Sequence, residues 1–295
     1  MYLMYHYSVY TSSELTNTNL RPLWQHDILE QAVKYPFLMH GLLAVSALHL
    51  ADKEPGAAAE YLPLSIHHQN LAISSFRSAL LAISEENCHA LFAQASVISM
   101  SAMFLACVRS RVDPNYAPSL DEFIEPYLLT RGIGEVVGVA QDWIAKGPLA
   151  VMLEGHVVPD ADHYSIPYAV QSHFNNIRDR FRHNFQDEGE LSALFEALAA
   201  LEMIHKELAK GLKGWDNNPG MVWKWPNTTS QGYMSLLRNH HPGALVLYAH
   251  FATLSRRYDS HWYHRGWSDL AVSTISNSLP PEWRGLIKRL EMPHP

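Results

Sequence analysis

Residues 243–267 read GALVLYAHFATLSRRYDSHWYHRGW, a stretch that combines more aromatic area and more imidazole rings than any other part of the chain. Pro242 precedes it, where the first turn of a helix accepts proline. Apolar side chains recur at steps of three and four residues, which places them on one face of a helix; they are Leu247, Phe251, Leu254 and Tyr258. The stretch therefore predicts an apolar helix, an aromatic turn and a second helix, which together wall part of a pocket.

The rest of the chain shows helical periodicity and no alternating strand pattern bounded by hairpin turns. One predicted helix, over 63–83, has an apolar stripe of Ile66, Ile73, Phe76, Leu80 and Ile83. The other predicted helices span 22–35, 37–51, 87–108, 120–143, 170–185 and 191–212. The sequence thus predicts an all-α, multi-helix globular fold, with residues 1–295 as a single domain.

Composition restricts the function classes. A formal charge of −7 argues against direct nucleic acid binding by this chain, which needs a basic surface. Two cysteines, Cys88 and Cys107, allow no disulfide framework and no zinc cluster, so an intracellular location, cytoplasmic or nuclear, is expected. Residues 1–7 lack the features of a signal peptide. The uncharged run 87–108 approaches the length of a membrane span, but its polar residues favour a buried helix and no membrane span.

Several stretches together resemble the regulatory domain of fungal binuclear zinc cluster transcription factors, in the branch that contains sterol uptake control proteins. The longest is YPFLMHGLLAVSALHL at 35–50. Before residue 100, the other matching stretches are Leu23-Trp24, then His68 followed by Ala72, Phe76-Arg77 and Leu80, and then Asn87 followed by residues 90–92. After it they are residues 129–133, Gly147-Pro148, and the stretch from residue 244 through Gly266-Trp267 to Trp283. This resemblance implies an all-α domain whose carboxy-terminal helices enclose an apolar pocket, which binds a sterol in the sterol sensors, and it implies a homodimer.

The family's six-cysteine zinc cluster has no counterpart in these residues, so we expect either an excised sensor domain or a freestanding protein. Three functions follow. The first is the binding of an apolar small molecule, sterol or terpenoid-like. The alternative is a cofactor-independent cyclase, pericyclase or isomerase of fungal secondary metabolism that uses the same pocket. The third is a dimerisation scaffold without a ligand.

The aromatic residues of the last third are the first candidates for ligand binding, since six of eight tryptophans follow residue 210. Trp262 and Trp267 are expected to face a ligand across the helix that contains Tyr248 and Phe251. Met103, Phe104 and Met152 are further candidates, because thioethers and phenyl rings suit an adaptable apolar cavity. Plain core packing uses the same residue types and is the alternative.

Polar candidates are fewer. Asp162 and His163 lie in one predicted loop, where the carboxylate could orient the imidazole for general acid–base catalysis in an enzyme. The alternative is that both are ordinary turn residues. His261 and His264 lie three residues apart, but no acidic third ligand has matching spacing, so no metal site is expected. His68 is interpreted as a hydrogen-bonded histidine at a helix interface. There is no phosphate-binding glycine loop, and no cofactor is expected.

Overall fold

The computed structural model describes residues 1–16, 20–154, 166–209 and 224–287, and the described ranges are helical with no strand. The predicted all-α fold is confirmed. The α-helices are α1 Tyr2–His6, α2 Ser12–Glu14, α3 Ile28–Lys34, α4 Pro36–Lys53, α5 Ala58–Ala79, α6 Cys88–Val112, α7 Asp121–Ile144, α8 Val151–Glu154, α9 Tyr168–Asn184, α10 Glu188–Ala209, α11 Lys224–Thr228, α12 Gln231–Arg238, α13 Pro242–Leu254, α14 Trp267–Ser278 and α15 Pro281–Arg284. Shorter π-helical turns (Tyr7–Thr11, Leu23–Asp27) and 3₁₀ turns (Pro55–Ala57, Leu80–Ala82, Pro148–Ala150, Ser255–Tyr258) connect several of them.

The chain divides into two compact units. Unit 1 consists of Met1–Pro118, Glu125–Gly155 and Asp259–Arg265, and unit 2 consists of Ser119–Ile124, His156–Tyr258 and Gly266–Pro295. The single domain over residues 1–295 stays a prediction, because compactness does not measure whether the units fold independently.

Unit 1 is built around α4, which is buried around most of its circumference and packs against both α5 and α6. The inner face of α5 carries Ala58, Ser65, Ala72 and Phe76, and these mostly small side chains let two helices approach closely. The predicted stripe on this helix is therefore wrong at Ile66, which is 41% exposed. Sequence reasoning started the helix at Pro63, whereas Pro63 lies inside it. His40 and His68 approach within 3.0 Å between their Nδ1 atoms, as expected for an interface histidine.

Helix α6 crosses the interior of unit 1. Within the described ranges it is the one helix with the length and apolarity of a membrane span, and most of that apolar window is buried in the protein. Its buried side chains include the carboxamide of Gln94, which lies so close to Gly41 of α4 that a Cβ at residue 41 would stand 2.3 Å from Gln94 Oε1. The two helices thus meet at a glycine because no side chain fits there.

In unit 2, α10 packs against α9, α12 and α13, and α13 also packs against α12 and α14. Helix α9 turns Val170, Phe174, Ile177 and Phe181 inward at helical spacing. Helix α13 begins at Pro242, as predicted, and buries eleven of its thirteen residues. The first turn of α13 packs closely against α10, since a Cβ on Gly243 would lie 3.0 Å from Leu194 Cδ1. Gly266 has φ +78°, a left-handed conformation that glycine adopts freely, and α14 follows it.

Candidate ligand-binding site

Helix α13 supplies the aromatic centre of unit 2. Phe251 stacks on Tyr248 (ring centroids 5.8 Å apart) and on Trp225 of α11 (4.9 Å). The hydroxyl of Tyr248 donates a hydrogen bond to the carbonyl of Phe123, and burial raises the pKa of Tyr248. The ring of Trp267, at the start of α14, meets the ring of Phe123 edge-on at 6.1 Å. Three predicted ligand-binding residues therefore gather around one buried aromatic group.

The other predicted ligand-binding residues belong to unit 1. Trp262 lies 5.3 Å from Phe104 of α6, and Phe104 also contacts Tyr263 at 4.5 Å. Met103 is buried on the same helix, and Met152 is partly buried on α8. The structure thus brings Trp262 together with Phe104, whereas Trp262 and Trp267, expected to share one pocket, are parts of different units.

A buried carboxylate holds the loop that carries Trp262. Asp52 of α4 is 4% exposed and accepts hydrogen bonds from Arg111 Nε (2.8 Å) and Arg265 Nη2 (2.9 Å). Arg111 also donates to the backbone carbonyls of Trp262 (3.1 Å) and Arg265 (2.8 Å). Two guanidinium groups on one carboxylate offset its loss of hydration, and they fix the loop against α4 and α6.

The imidazole of His49 in α4 contacts several polar side chains of unit 1. Its Nδ1 is 3.0 Å from Thr11 Oγ1 and 3.3 Å from His6 Nε2, and Glu14 Oε2 stands 3.4 Å from its Nε2. The imidazole stacks on Trp262 with ring centroids 4.6 Å apart. Burial lowers the pKa of His49, so the ring is neutral near pH 7.

Unit 2 contains three histidines that the sequence reasoning missed. His250 of α13 directs Nε2 toward the carbonyl of Leu286 (3.0 Å) and toward His173 Nε2 of α9 (3.2 Å). His205 of α10 lies against Phe174, whose ring it meets edge-on at 5.2 Å. Burial lowers the pKa of His250 to about 3 and that of His205 to about 4. The apolar periodicity around His205 and His250 was the available signal, since both imidazoles lie on inward faces of their helices and are buried, whereas His173 is partly exposed.

The candidate catalytic residues, Asp162 and His163, lie outside the described residues. In the part of the chain that is described, no group of three or more His, Cys, Asp or Glu side chains is arranged to hold a metal ion. Both cysteines are buried and free, and burial raises the pKa of Cys107 to about 12, which makes it a poor nucleophile.

The chain is similar to several fungal regulators. Residues 2–114 match the fungal specific transcription factor domain. Sterol uptake control protein 2 of Saccharomyces cerevisiae is 26% identical over 278 residues, which cover 90% of this chain and 29% of that protein. Its namesake in Candida albicans is 32% identical over 119 residues, or 40% of this chain and 16% of that protein. A Zn(2)-C6 fungal-type transcription factor of Gibberella zeae is 24% identical over 279 residues, or 88% of this chain and 54% of that protein.

These similarities confirm the resemblance inferred from the sequence. The chain is homologous to sterol uptake control proteins and to a Zn(2)-C6 transcription factor, and the similarity extends over most of its length. It spans about half or less of the length of each of these relatives.

Proposed function

We propose that the chain is a ligand-binding regulatory domain whose unit 2 encloses an apolar small molecule, a sterol or a terpenoid. The observation that carries this proposal is the similarity over 278 residues to a protein named for sterol uptake control. That similarity includes α13, which the sequence singled out as the wall of a pocket.

The chemistry of unit 2 supports the proposal. The aromatic group of Tyr248, Phe251, Trp225 and Trp267 offers large apolar surfaces, and the buried imidazoles of α10 and α13 offer a few polar atoms among them. Small-molecule sites combine these two features, with apolar walls for affinity and a few polar groups for orientation.

The enzyme alternative gains no specific support. Its candidate catalytic residues, Asp162 and His163, lie outside the described residues, and the relatives named above are regulators. The homodimer and an intracellular location, cytoplasmic or nuclear, remain part of the proposal because transcription factors act in the nucleus and the family resemblance implies a dimer.

Native mass spectrometry of the full chain tests binding directly. The protein is exposed to ergosterol, 5α-cholestan-3β-ol and farnesol, with maltose as a polar control. We expect a one-to-one complex with at least one apolar compound, and unfolding stabilised by about 2.7 kcal/mol at a free ligand concentration a hundred times Kd. No complex with any apolar compound contradicts the proposal.

The same spectra separate the three functions. A compound recovered unchanged from the complex supports a sensor, and a compound recovered with a different fragmentation pattern favours the enzyme. A dimer that retains none of the apolar compounds favours the scaffold.

A further inference from the structure

His205 is one of the buried polar side chains of unit 2 with no hydrogen-bond partner within the described residues. Its side chain is about 1% exposed, and neither Nδ1 nor Nε2 has a hydrogen-bond partner within the described residues. A neutral imidazole has one N–H donor and one lone-pair acceptor, and each destabilises the folded state when it is buried without a partner. Folded proteins keep few such groups, and each one calls for an explanation.

The surroundings of His205 are apolar. Phe174 contacts it edge-on, and helical spacing places the buried side chains of Leu201 and Leu208 on the same face of α10. Phe174 also contacts His250 (5.9 Å between ring centroids), whose Nδ1 likewise has no partner among the described residues. A water molecule bound here needs two to four polar partners, and these aliphatic and aromatic neighbours supply few. A polar group that arrives attached to an apolar skeleton suits this site better.

The charge state of His205 limits which polar group of a ligand can bind to it. Burial keeps this imidazole neutral near pH 7. The nearest carboxylate along α10, on Glu207, is paired with Lys224 at 2.5 Å. A carboxylate ligand would lose its hydration against this neutral ring without gaining an opposite charge from it. A hydroxyl both donates and accepts, so it satisfies either nitrogen in either tautomer.

We propose that His205 receives the hydroxyl group of the bound apolar molecule, and that it selects alcohols over hydrocarbons of the same skeleton. The inference rests on the proposed function, since it assigns the polar end of the ligand that unit 2 encloses. The ligand class is an apolar molecule with one hydroxyl group, such as a monohydroxylated sterol or a terpene alcohol.

Two pairs of probes test the selection: 5α-cholestan-3β-ol against 5α-cholestane, and farnesol against β-farnesene, at one fixed detergent concentration. The wild-type chain is expected to bind the alcohol of at least one pair about tenfold more tightly, as one neutral hydrogen bond allows. His205→Leu is expected to bind both members of that pair equally. The matched control, Ile204→Leu, changes the neighbouring buried side chain without changing its polarity and keeps the tenfold preference.

Two further measurements keep the test decisive if a variant folds poorly. The imidazole ¹⁵N resonances of His205 in the wild-type chain are expected to shift with the alcohol and not with the hydrocarbon. Without ligand, His205→Leu is expected to unfold at the wild-type temperature or above it, because leucine removes two unpaired polar atoms.

The outcomes distinguish the two proposals. Equal wild-type binding of alcohol and hydrocarbon, or a preference that persists in His205→Leu, overturns the role of His205 and leaves the proposed function intact. If no probe of either pair binds, the proposed function fails, and the role of His205 fails with it. A midpoint lowered by about 5 °C or more in ligand-free His205→Leu, together with unshifted ¹⁵N resonances, shows a structural role for the imidazole and overturns the inference.

Discussion

The imidazole of His49 and the indole of Trp262 stack in unit 1, with ring centroids 4.6 Å apart and planes inclined by 22°. The same imidazole contacts Thr11 and His6, so one residue of α4 joins the amino-terminal segment to the loop 259–265. The loop is therefore held at two points, by this stack and by the Asp52 carboxylate.

Removing the indole is expected to destabilise unit 1. Trp262→Ala deletes the contacts with His49 and Phe104, and a buried tryptophan truncated to alanine costs about 3–5 kcal/mol. Denaturant unfolding measures the loss, and hydrogen exchange of residues 3–14 is expected to accelerate because His49 loses its support. Trp262→Phe, the control, keeps a ring in place and is expected to cost less than half as much. A change below about 1 kcal/mol in Trp262→Ala would contradict the central role of this stack.

Asp52→Asn is expected to loosen the loop through electrostatics. The substitution keeps the shape of the side chain but removes the charge that two guanidinium groups share. Because Arg265 is 56% exposed, solvent compensates part of the loss, and we expect about 2 kcal/mol of destabilisation. Glu30→Gln serves as the control, since Glu30 forms an exposed pair with Lys34, and a much smaller change is expected. Equal effects of the two substitutions would show that burial of Asp52 has no importance.

Two glycine substitutions are expected to have opposite signs. Gly41→Ala places a Cβ 2.3 Å from Gln94 Oε1 and 3.0 Å from Val97 Cγ1, and the buried carboxamide has no solvent to move into. Overpacking of this kind costs about 1–3 kcal/mol. Gly132→Ala in α7 meets no atom within 4 Å, so the helix propensity of alanine is expected to stabilise the protein by up to about 1 kcal/mol. Thermal unfolding compares the two, and stabilisation by both would mean that Gln94 moves aside freely.

Acid is expected to destabilise the protein through His205. Its pKa is about 4 in the folded protein against 6.5 in the unfolded chain, so the unfolded chain binds the proton first as pH falls. The free energy of unfolding therefore decreases between about pH 6.5 and 4, on the order of 3 kcal/mol from this group, and its contribution is constant outside that window. Unfolding curves over this range are expected to show a shallower pH dependence for His205→Leu. Ile204→Leu, which retains the imidazole, keeps the wild-type slope; an unchanged slope in His205→Leu contradicts the prediction.

Much of the fold follows from local sequence. Pro242 marks the start of α13, and the apolar circumference of α4 and α6 predicts helices buried inside the protein. The prediction of the inner face of α5 was wrong because small buried residues such as Ala58 and Ser65 form its packing surface. Hydropathy ranks these residues below Ile66, which is exposed.

The site was less predictable than the fold. The concentration of aromatic residues made Tyr248, Phe251 and Trp267 candidates, but the partner of each ring depends on residues far away in sequence. Trp262 follows Phe251 by eleven residues and yet packs on His49, through a contact that no spacing rule contains. The unpaired nitrogens of His205 are visible only once its neighbours are known, because hydrogen-bond satisfaction is a property of the packed structure.

The chain changes units five times, after Pro118, Ile124, Gly155, Tyr258 and Arg265. Neither unit is therefore encoded by one uninterrupted stretch of the gene. Recombination cannot exchange one unit for that of another regulator as a cassette, and a deletion that removes one of them also breaks the continuity of the other. The two units are therefore inherited together, and a substitution in one is selected in the presence of the other.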